Sequence, residues 1–332
     1  MNKNLLFGKA IGAALLFVMM SLANSGIAQT QVATLQHGED FSAFYGVNAF
    51  IEAHEAAVDG DVITLSSGNF NSTDITKAIT LHGAGIYNEN LTNITPTYLS
   101  GNVNINILNE DLFLYVEGIY FHNWIYVIGI LNHARFTKCR FDYINATGEY
   151  GMDDVEFNNC YMISEHWIRS VNYNVRFNNC IIDNLLAGGT SIHMYNCIVF
   201  CHDVNHLYAY NSIIWKWTSP SDNCYFYNCI GINSGAFGAG HTSNCITSTF
   251  EEVFNIFNGD FASHPYYMDY TLTDAIISNF QGNDGSQVGV FGGAMPYNPR
   301  PSYLILNNTT VAGQSDVNGN LNVNIEIIEE NK

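Results

Sequence analysis

The sequence predicts an all-β fold: a right-handed parallel β-helix, a solenoid of roughly ten coils, with an N-terminal capping helix and a short C-terminal β appendage. Three observations carry this expectation. Val155-Glu156-Phe157-Asn158-Asn159-Cys160 recurs as Val175-Arg176-Phe177-Asn178-Asn179-Cys180, and the register extends through Lys138-Cys139, Asn196-Cys197, Asn211-Ser212, Asn228-Cys229 and Asn244-Cys245 in steps of 21, 20, 17, 15, 17 and 16 residues. Within each repeat the residues alternate. Ala134, Val155, Val175, Ile192, Leu207 and Cys224, with Phe136, Phe157, Phe177, Met194, Ala209 and Phe226, are expected to point inward, and Gly240 and Thr242 continue these columns. Arg135, Glu156, Arg176, His193, Tyr208, Tyr225 and His241, with Thr137, Asn158, Asn178, Tyr195, Tyr210, Tyr227 and Ser243, are expected to point outward. Period-two alternation once per repeat means one short strand per coil, stacked in parallel on its equivalent about 4.8 Å away. The third observation is the asparagine column at 159, 179, 196, 211, 228 and 244. Asparagine tolerates a left-handed backbone at a sharp bend, and its amide can bond the asparagine above and below, so an internal ladder is expected. A leucine-rich repeat fits worse, because steps fall to 15 and the inward residues are Phe and Val.

In chain order, Met1 to Ala28 carries Lys3 and Lys9, an apolar run from Ala10 to Met20 and a small-residue end, the pattern of a secretory signal peptide. Export to the periplasm, the cell surface or the medium is therefore expected. Without Lys3 and Lys9 the chain keeps 9 basic residues against 30 acidic ones, a net charge of -21. Nucleic acid and anionic membranes need a positive face, so neither is an expected partner, and no later run is long enough for membrane insertion. Residues 29–46 are a lead-in. Over 47–58, Val47, Phe50, Ile51, His54, Ala57 and Val58 fall at helical spacing, and Gly60 ends the helix. The β-helix with its capping helix is expected over 47–297 as one domain and one monomer, with less regular coils around Val103–Ile107 and Leu112–Phe121. Five cysteines, 139, 160, 180, 197 and 229, share one column that Cys245 completes and Ser212 interrupts. Side chains stacked in register point the same way, so these are expected to be free buried thiols, with Cys201 and Cys224 left open. Beyond Pro296 the pattern stops. In the tail, 298–332, Tyr303 to Leu306 and Leu321 to Ile328 are expected strands, with a turn at Asp316 to Asn320.

The first coil carries Gly60-Asp61-Val62-Ile63-Thr64-Leu65, Gly68-Asn69-Phe70 and Lys77-Ala78-Ile79-Thr80-Leu81-His82-Gly83-Ala84-Gly85. The far end carries Asp269-Tyr270-Thr271-Leu272, Asp274 to Ile277, Gly282 to Gly293 and Pro296-Tyr297. Together these resemble the opening and closing coils of exported bacterial β-helix proteins of the pectate-lyase-like superfamily, over about residues 61 to 297. The resemblance implies the fold, and for its enzymatic members polysaccharide lyase or hydrolase chemistry. The arginine-proline pattern of pectate lyases is absent, since no proline occurs between Pro96 and Pro220. Of the polygalacturonase set the chain offers only Asp153-Asp154.

Candidate catalytic acids are Glu156, Glu165, Asp183, Asp153 and Asp154, because stacked coils bring acids to roughly 5–10 Å, the range of glycosidase carboxylate pairs. Asp154 shares a column with His133, Asn174, Ser191, His206 and Asn223, which is turn chemistry. His202 and His206 have a helical metal spacing placed across a bend, so no metal site and no cofactor is expected. The outward face holds the stronger signal. Tyr195, Tyr208, Tyr210, Tyr225 and Tyr227, flanked by His193 and His241, form a contiguous aromatic surface of the kind that suits sugar faces. The expected function is a non-catalytic module binding an extracellular polysaccharide or another cell-surface polymer. A polysaccharide lyase or glycoside hydrolase with a non-standard site is the alternative, and a purely structural surface protein a second one.

Overall fold

The computed structural model describes residues 31–86, 96–107, 111–147, 151–168, 174–188, 191–216, 220–255, 270–299, 305–311 and 323–328. The expected signal peptide lies outside them. Two sheets of twelve strands wrap one interior. In the first sheet, ten strands from Val62–Leu65 to His241–Ser243 stack in parallel. The same sheet opens with an antiparallel hairpin, Val32–His37 and Asp40–Tyr45, whose first strand pairs antiparallel with Val62–Leu65. The second sheet runs parallel from Gly68–Asn71 to Ile246–Ser248. The protein is thus a parallel β-solenoid, and the stretch 86–130 continues both sheets through Thr97–Ser100, Val103–Ile105, Leu114–Glu117 and Ile119–Val127.

Register follows the repeat. Phe136 pairs with Phe157 and Phe157 with Phe177, and the three rings stack at 5.1 and 4.9 Å with planes 12° and 10° apart. Both inward columns are buried through Phe226. Thr242, next in line, is exposed, because no further coil stacks on it among the described residues.

The helix observed is Ala49–Ala56, shorter than 47–58. Its buried stripe is Ala49, Phe50, Ala53 and His54, continuing at Ala57, whereas Val47 and Val58 are exposed. Lys77 of the first-coil motif donates to the helix's last carbonyls, His54 at 2.5 Å and Glu55 at 3.0 Å. The glycines of that motif permit a close backbone approach: a Cβ on Gly83 would stand 2.5 Å from the Gly118 carbonyl oxygen.

Every residue of the asparagine column has a left-handed backbone, φ between 51° and 54°, and Gly118 (φ 68°) and Lys138 (φ 51°) extend the column downward. The expected amide ladder is not what these side chains form. Three of them bond the C-terminal segment instead: Asn211 Nδ2 donates to Asn283 Oδ1 (3.0 Å), Asn179 Nδ2 to the carbonyls of Val290 (2.9 Å) and Gly292 (2.8 Å), and Asn159 Oδ1 accepts from Asn298 N (2.5 Å). Residues 282–298 thus run back along the corner as a strap, in place of the closing coil that the resemblance implied over 269–297. A ladder does form one position earlier, where Asn178 Nδ2 donates to Asn158 Oδ1 at 2.8 Å.

The strap completes a second apolar core. After Cys180, Cys197, Ser212 and Cys229 the second strand turns an isoleucine outward, Ile181, Ile198, Ile213 and Ile230, and these are buried with Phe250, Val253, Ile276, Phe280, Val288 and Val290. Cys180-Ile181-Ile182, Cys197-Ile198-Val199 and Ser212-Ile213-Ile214 break alternation in the sequence, and that break is the trace of this cover. The tail forms a two-stranded antiparallel hairpin, Ile305–Val311 with Val323–Ile328. The turn expected at 316–320 lies outside the described residues.

The cysteine column is free and buried except for half-buried Cys245, and Cys224 is a further free buried thiol. The side chain of Cys201 lies outside the described residues. Each sulfur does more than fill space. At the corner the backbone N–H of Cys160 donates to Cys180 Sγ, that of Cys180 to Cys197 Sγ and that of Cys229 to Cys245 Sγ, each at 3.4 Å. Ser212 fits this column because its Oγ accepts from Cys197 N at 3.0 Å and donates to the Tyr210 carbonyl at 2.8 Å. Burial pushes the Cys160, Cys197 and Cys229 thiols up, which keeps them protonated and unreactive.

One inward residue breaks the apolar pattern. His166 lies in register between Ile144 and Leu185 and is fully buried. Neither ring nitrogen has a hydrogen-bond partner, and desolvation lowers its pKa from 6.5 to about 3.

Three outcomes follow from this interior. Phe177→Ala removes the end ring of a stacked triplet and is expected to cost about 3–5 kcal/mol in urea unfolding; a loss under about 1 kcal/mol would mean the register is off by one. Cys180→Ser should cost under about 1 kcal/mol, as Ser212 does the same work, whereas Cys180→Ala strands the Cys160 N–H and should cost about 1–3 kcal/mol. Equal losses for the two variants would refute the sulfur's acceptor role. Because the folded pKa of His166 is depressed, the unfolded chain binds more protons between about pH 3 and pH 6.5, and this contribution to stability is lost as pH falls through that window. His54, lowered to about 4 by burial and then by Lys77, acts in the same direction, and Asp183, raised to about 6 by burial, acts in the opposite one. His166→Leu should therefore lose less stability than the parent between pH 7 and pH 4.5; parallel pH profiles would show that His166 is not the titrating group.

Candidate functional site

The outer face of the first sheet divides into a charged half and an aromatic half. In the charged half Glu156 receives Arg135 Nε at 2.9 Å and Arg176 Nε at 3.4 Å. Asp154 receives Arg176 Nη2 at 2.5 Å, His133 Nδ1 at 2.9 Å and Asn174 Nδ2 at 3.1 Å. The His133 hydrogen bond and the Arg176 charge hold the Asp154 carboxyl below the usual range. Asp154, His133, Asn174 and His206 share a left-handed conformation, φ 50° to 56°, which is the turn chemistry their column predicted. Such a bend at non-glycine residues is stabilised by short polar side chains that bond locally.

The other candidate acids do not join this network. Asp153 is half-buried and pairs in register with Asn132. Glu165 is half-buried at the bend before His166–Ile168, and Asp183 lies on the second-sheet strand Ile181–Ala187. His206 stands at its bend, and the side chain of His202 is outside the described residues. Among the described residues no group of three or more His, Cys, Asp or Glu side chains is placed to hold a metal, and no helix is long and apolar enough to cross a membrane.

The aromatic half is two parallel ring stacks. His193, Tyr208, Tyr225 and His241 follow one another at 5.0, 5.1 and 4.9 Å, with planes 13°, 6° and 20° apart. Tyr195, Tyr210 and Tyr227 follow at 5.0 and 5.0 Å, 8° and 9° apart. This spacing is the coil rise, so the backbone ladder dictates the ring ladder. It also changes what the surface offers. Ring faces are spent on their neighbours, and each tyrosine presents its edge and its hydroxyl to solvent. Tyr195 is 37% exposed, the other tyrosines are half-buried and His241 is exposed. Burial, and then the neighbouring phenols, push the Tyr210 hydroxyl up, so it stays a donor at neutral pH. The contiguous aromatic surface expected from the sequence is therefore assembled, with ring edges and not ring faces outward.

Two further constellations were missed by sequence reasoning. Asp142, buried beneath Tyr120, accepts the Tyr120 hydroxyl at 2.9 Å and faces His122 Nδ1 at 2.8 Å, while the Arg140 guanidinium lies 3.9 Å over the Tyr120 ring. The second is a groove of about 480 Å³ on the outer face of the second sheet, lined by Asn104, Tyr126, Val127, Ile128, Asn145 and Thr147. Beside it Trp124 stacks on Tyr126 (5.7 Å) and Tyr143 (4.6 Å), and Trp167 meets Trp124 edge-on at 5.6 Å. The signal was present as alternation in Trp124-Ile125-Tyr126 and Tyr143-Ile144-Asn145, but these residues lie on second-sheet strands, outside the first-sheet columns that defined the repeat.

No protein-family model, curated protein or solved structure matches this chain.

Proposed function

We propose that the chain is an exported, right-handed β-helix protein of the pectate-lyase-like kind whose tyrosine ladder binds a linear extracellular polysaccharide, or a like surface polymer, without cleaving it. The observation that carries this reading is the double stack of His193, Tyr208, Tyr225 and His241 beside Tyr195, Tyr210 and Tyr227. It turns a row of phenol hydroxyls and ring edges outward at one coil spacing. A polymer of hydroxyl-bearing units lying along the solenoid axis meets the same donor, acceptor and apolar edge at each coil, and many weak contacts add. The charged half supports a non-catalytic role over the lyase or hydrolase alternative, because Glu156 and Asp154 are each paired with an arginine, and the His133 hydrogen bond and the Arg176 charge hold the Asp154 carboxyl low. The left-handed asparagine corners and the first-coil motif support the right-handed family reading, and the segment 1–28 supports export.

The ladder geometry directs the test at hydroxyls. Tyr208, Tyr210 and Tyr225 replaced together by Phe keep the stacking and remove three hydroxyls, so the fold and thermal midpoint should hold. Binding to the polysaccharide that retards the parent in affinity electrophoresis should weaken about tenfold or more. If the triple-Phe protein binds as tightly as the parent, the ladder is packing only and the structural-protein reading replaces this one.

A further inference from the structure

We infer that the groove around Tyr126 is a second, independent binding site, for a neutral saccharide. Asn104, Tyr126 and Asn145 are paired in register on three adjacent strands, so the tyrosine ring stands between two amides about 4.8 Å away on either side. Each amide is oriented by a neighbour. Asn104 Nδ2 donates to Asp74 Oδ1 at 3.0 Å, which leaves its Oδ1 as an acceptor toward the groove side. Asn145 Oδ1 accepts from the Thr147 hydroxyl at 2.8 Å, which leaves its Nδ2 as a donor. An acceptor and a donor flanking one aromatic ring match a sugar, whose hydroxyls donate and accept together and whose C–H groups pack against the ring edge.

Charge narrows the ligand. No charged side chain lines the groove, while the chain as a whole carries -19. A uronate polymer would be repelled without a compensating cation, so a neutral glycan is the fitting class. The neighbouring rings extend the apolar floor: Trp124, Tyr143 and Trp167 are half-buried on the same outward face. Four large aromatic side chains in one outward patch are costly to leave wet, and a ligand face would cover them. Unlike the ladder, this patch is concave, and Trp167 meets Trp124 edge-on at 62°, so some ring surface stays outside the stack.

The test uses the full-length exported protein in affinity gels containing a linear β-glucan, a xylan or a galactomannan, with polygalacturonate as the anionic probe. Tryptophan fluorescence titration with oligosaccharides of any polymer that retards it gives the affinity. At least one neutral polymer should bind and polygalacturonate should not. Asn145→Asp, which exchanges the donor for an acceptor of the same shape, and Tyr126→Ala should each weaken that binding about tenfold or more, and Tyr126→Phe should keep most of it. Circular dichroism and the thermal midpoint report that each variant folds. The triple-Phe ladder variant should leave the fluorescence titration unchanged, which separates this site from the ladder. The inference is overturned if no neutral polymer binds, if Asn145→Asp and Tyr126→Ala bind as the parent does, or if only the ladder variant loses the signal.

Discussion

The left-handed corner that ends each strand of the first sheet is the constraint on which this molecule depends. From Gly118 through Lys138 to Asn244, one residue per coil adopts a φ that most side chains avoid, and it does so at the same place each time. The bend sends the chain from the first sheet to the second within two residues. Its cost is met locally: asparagine tolerates the conformation, and the following cysteine or serine accepts from the equivalent N–H of the preceding coil, which the sharp turn has taken out of the strand ladder. Once the corners align, every inward side chain lands on its own kind.

The same corner fastens the C-terminal strap. With sulfur and backbone satisfying each other inside, the amides of Asn159, Asn179 and Asn211 are free to bond residues 282–298. Gly292 is required where the strap turns back past Asn196, since a Cβ there would stand 1.7 Å from the Gln287 carbonyl oxygen and 2.6 Å from the Asn196 amide nitrogen. The strap in turn buries the isoleucine row Ile181, Ile198, Ile213 and Ile230, which would otherwise be an apolar stripe in water. The solenoid therefore has two cores, one enclosed by the coils and one laid on their outside.

On the uncovered faces, coil spacing decides what chemistry is offered. In the first sheet, charges and then rings repeat at the coil rise, so acids meet arginines and tyrosines meet tyrosines. Regular stacking neutralises the carboxylates and hides ring faces, which leaves hydroxyls and edges as the exposed chemistry. In the second sheet the register slips between Phe141 and Tyr143. Beside that irregularity Trp124 and Tyr143 stay stacked while Trp167 meets Trp124 edge-on, and a groove opens between Asn104 and Asn145. Regularity stabilises this protein, and a departure from it makes its concave surface.

The fold was legible in the chain because a solenoid writes its geometry into a local period. Phe136, Phe157 and Phe177 share a column in the sequence and a stack in space, and the exposed tyrosines could be assigned to one face by alternation alone. The antiparallel hairpin at residues 32–45 and the strap were not legible in the same way. They pair segments such as Asn211 and Asn283, 72 residues apart, and nothing in a repeat of about twenty residues records where the chain will return. For the site, sequence named the tyrosines but not the direction their faces point, since ring orientation follows from how closely successive coils stack. It passed over Asn104, Tyr126 and Asn145 altogether, because they stand on three different coils at unequal spacings and only strand pairing brings them together.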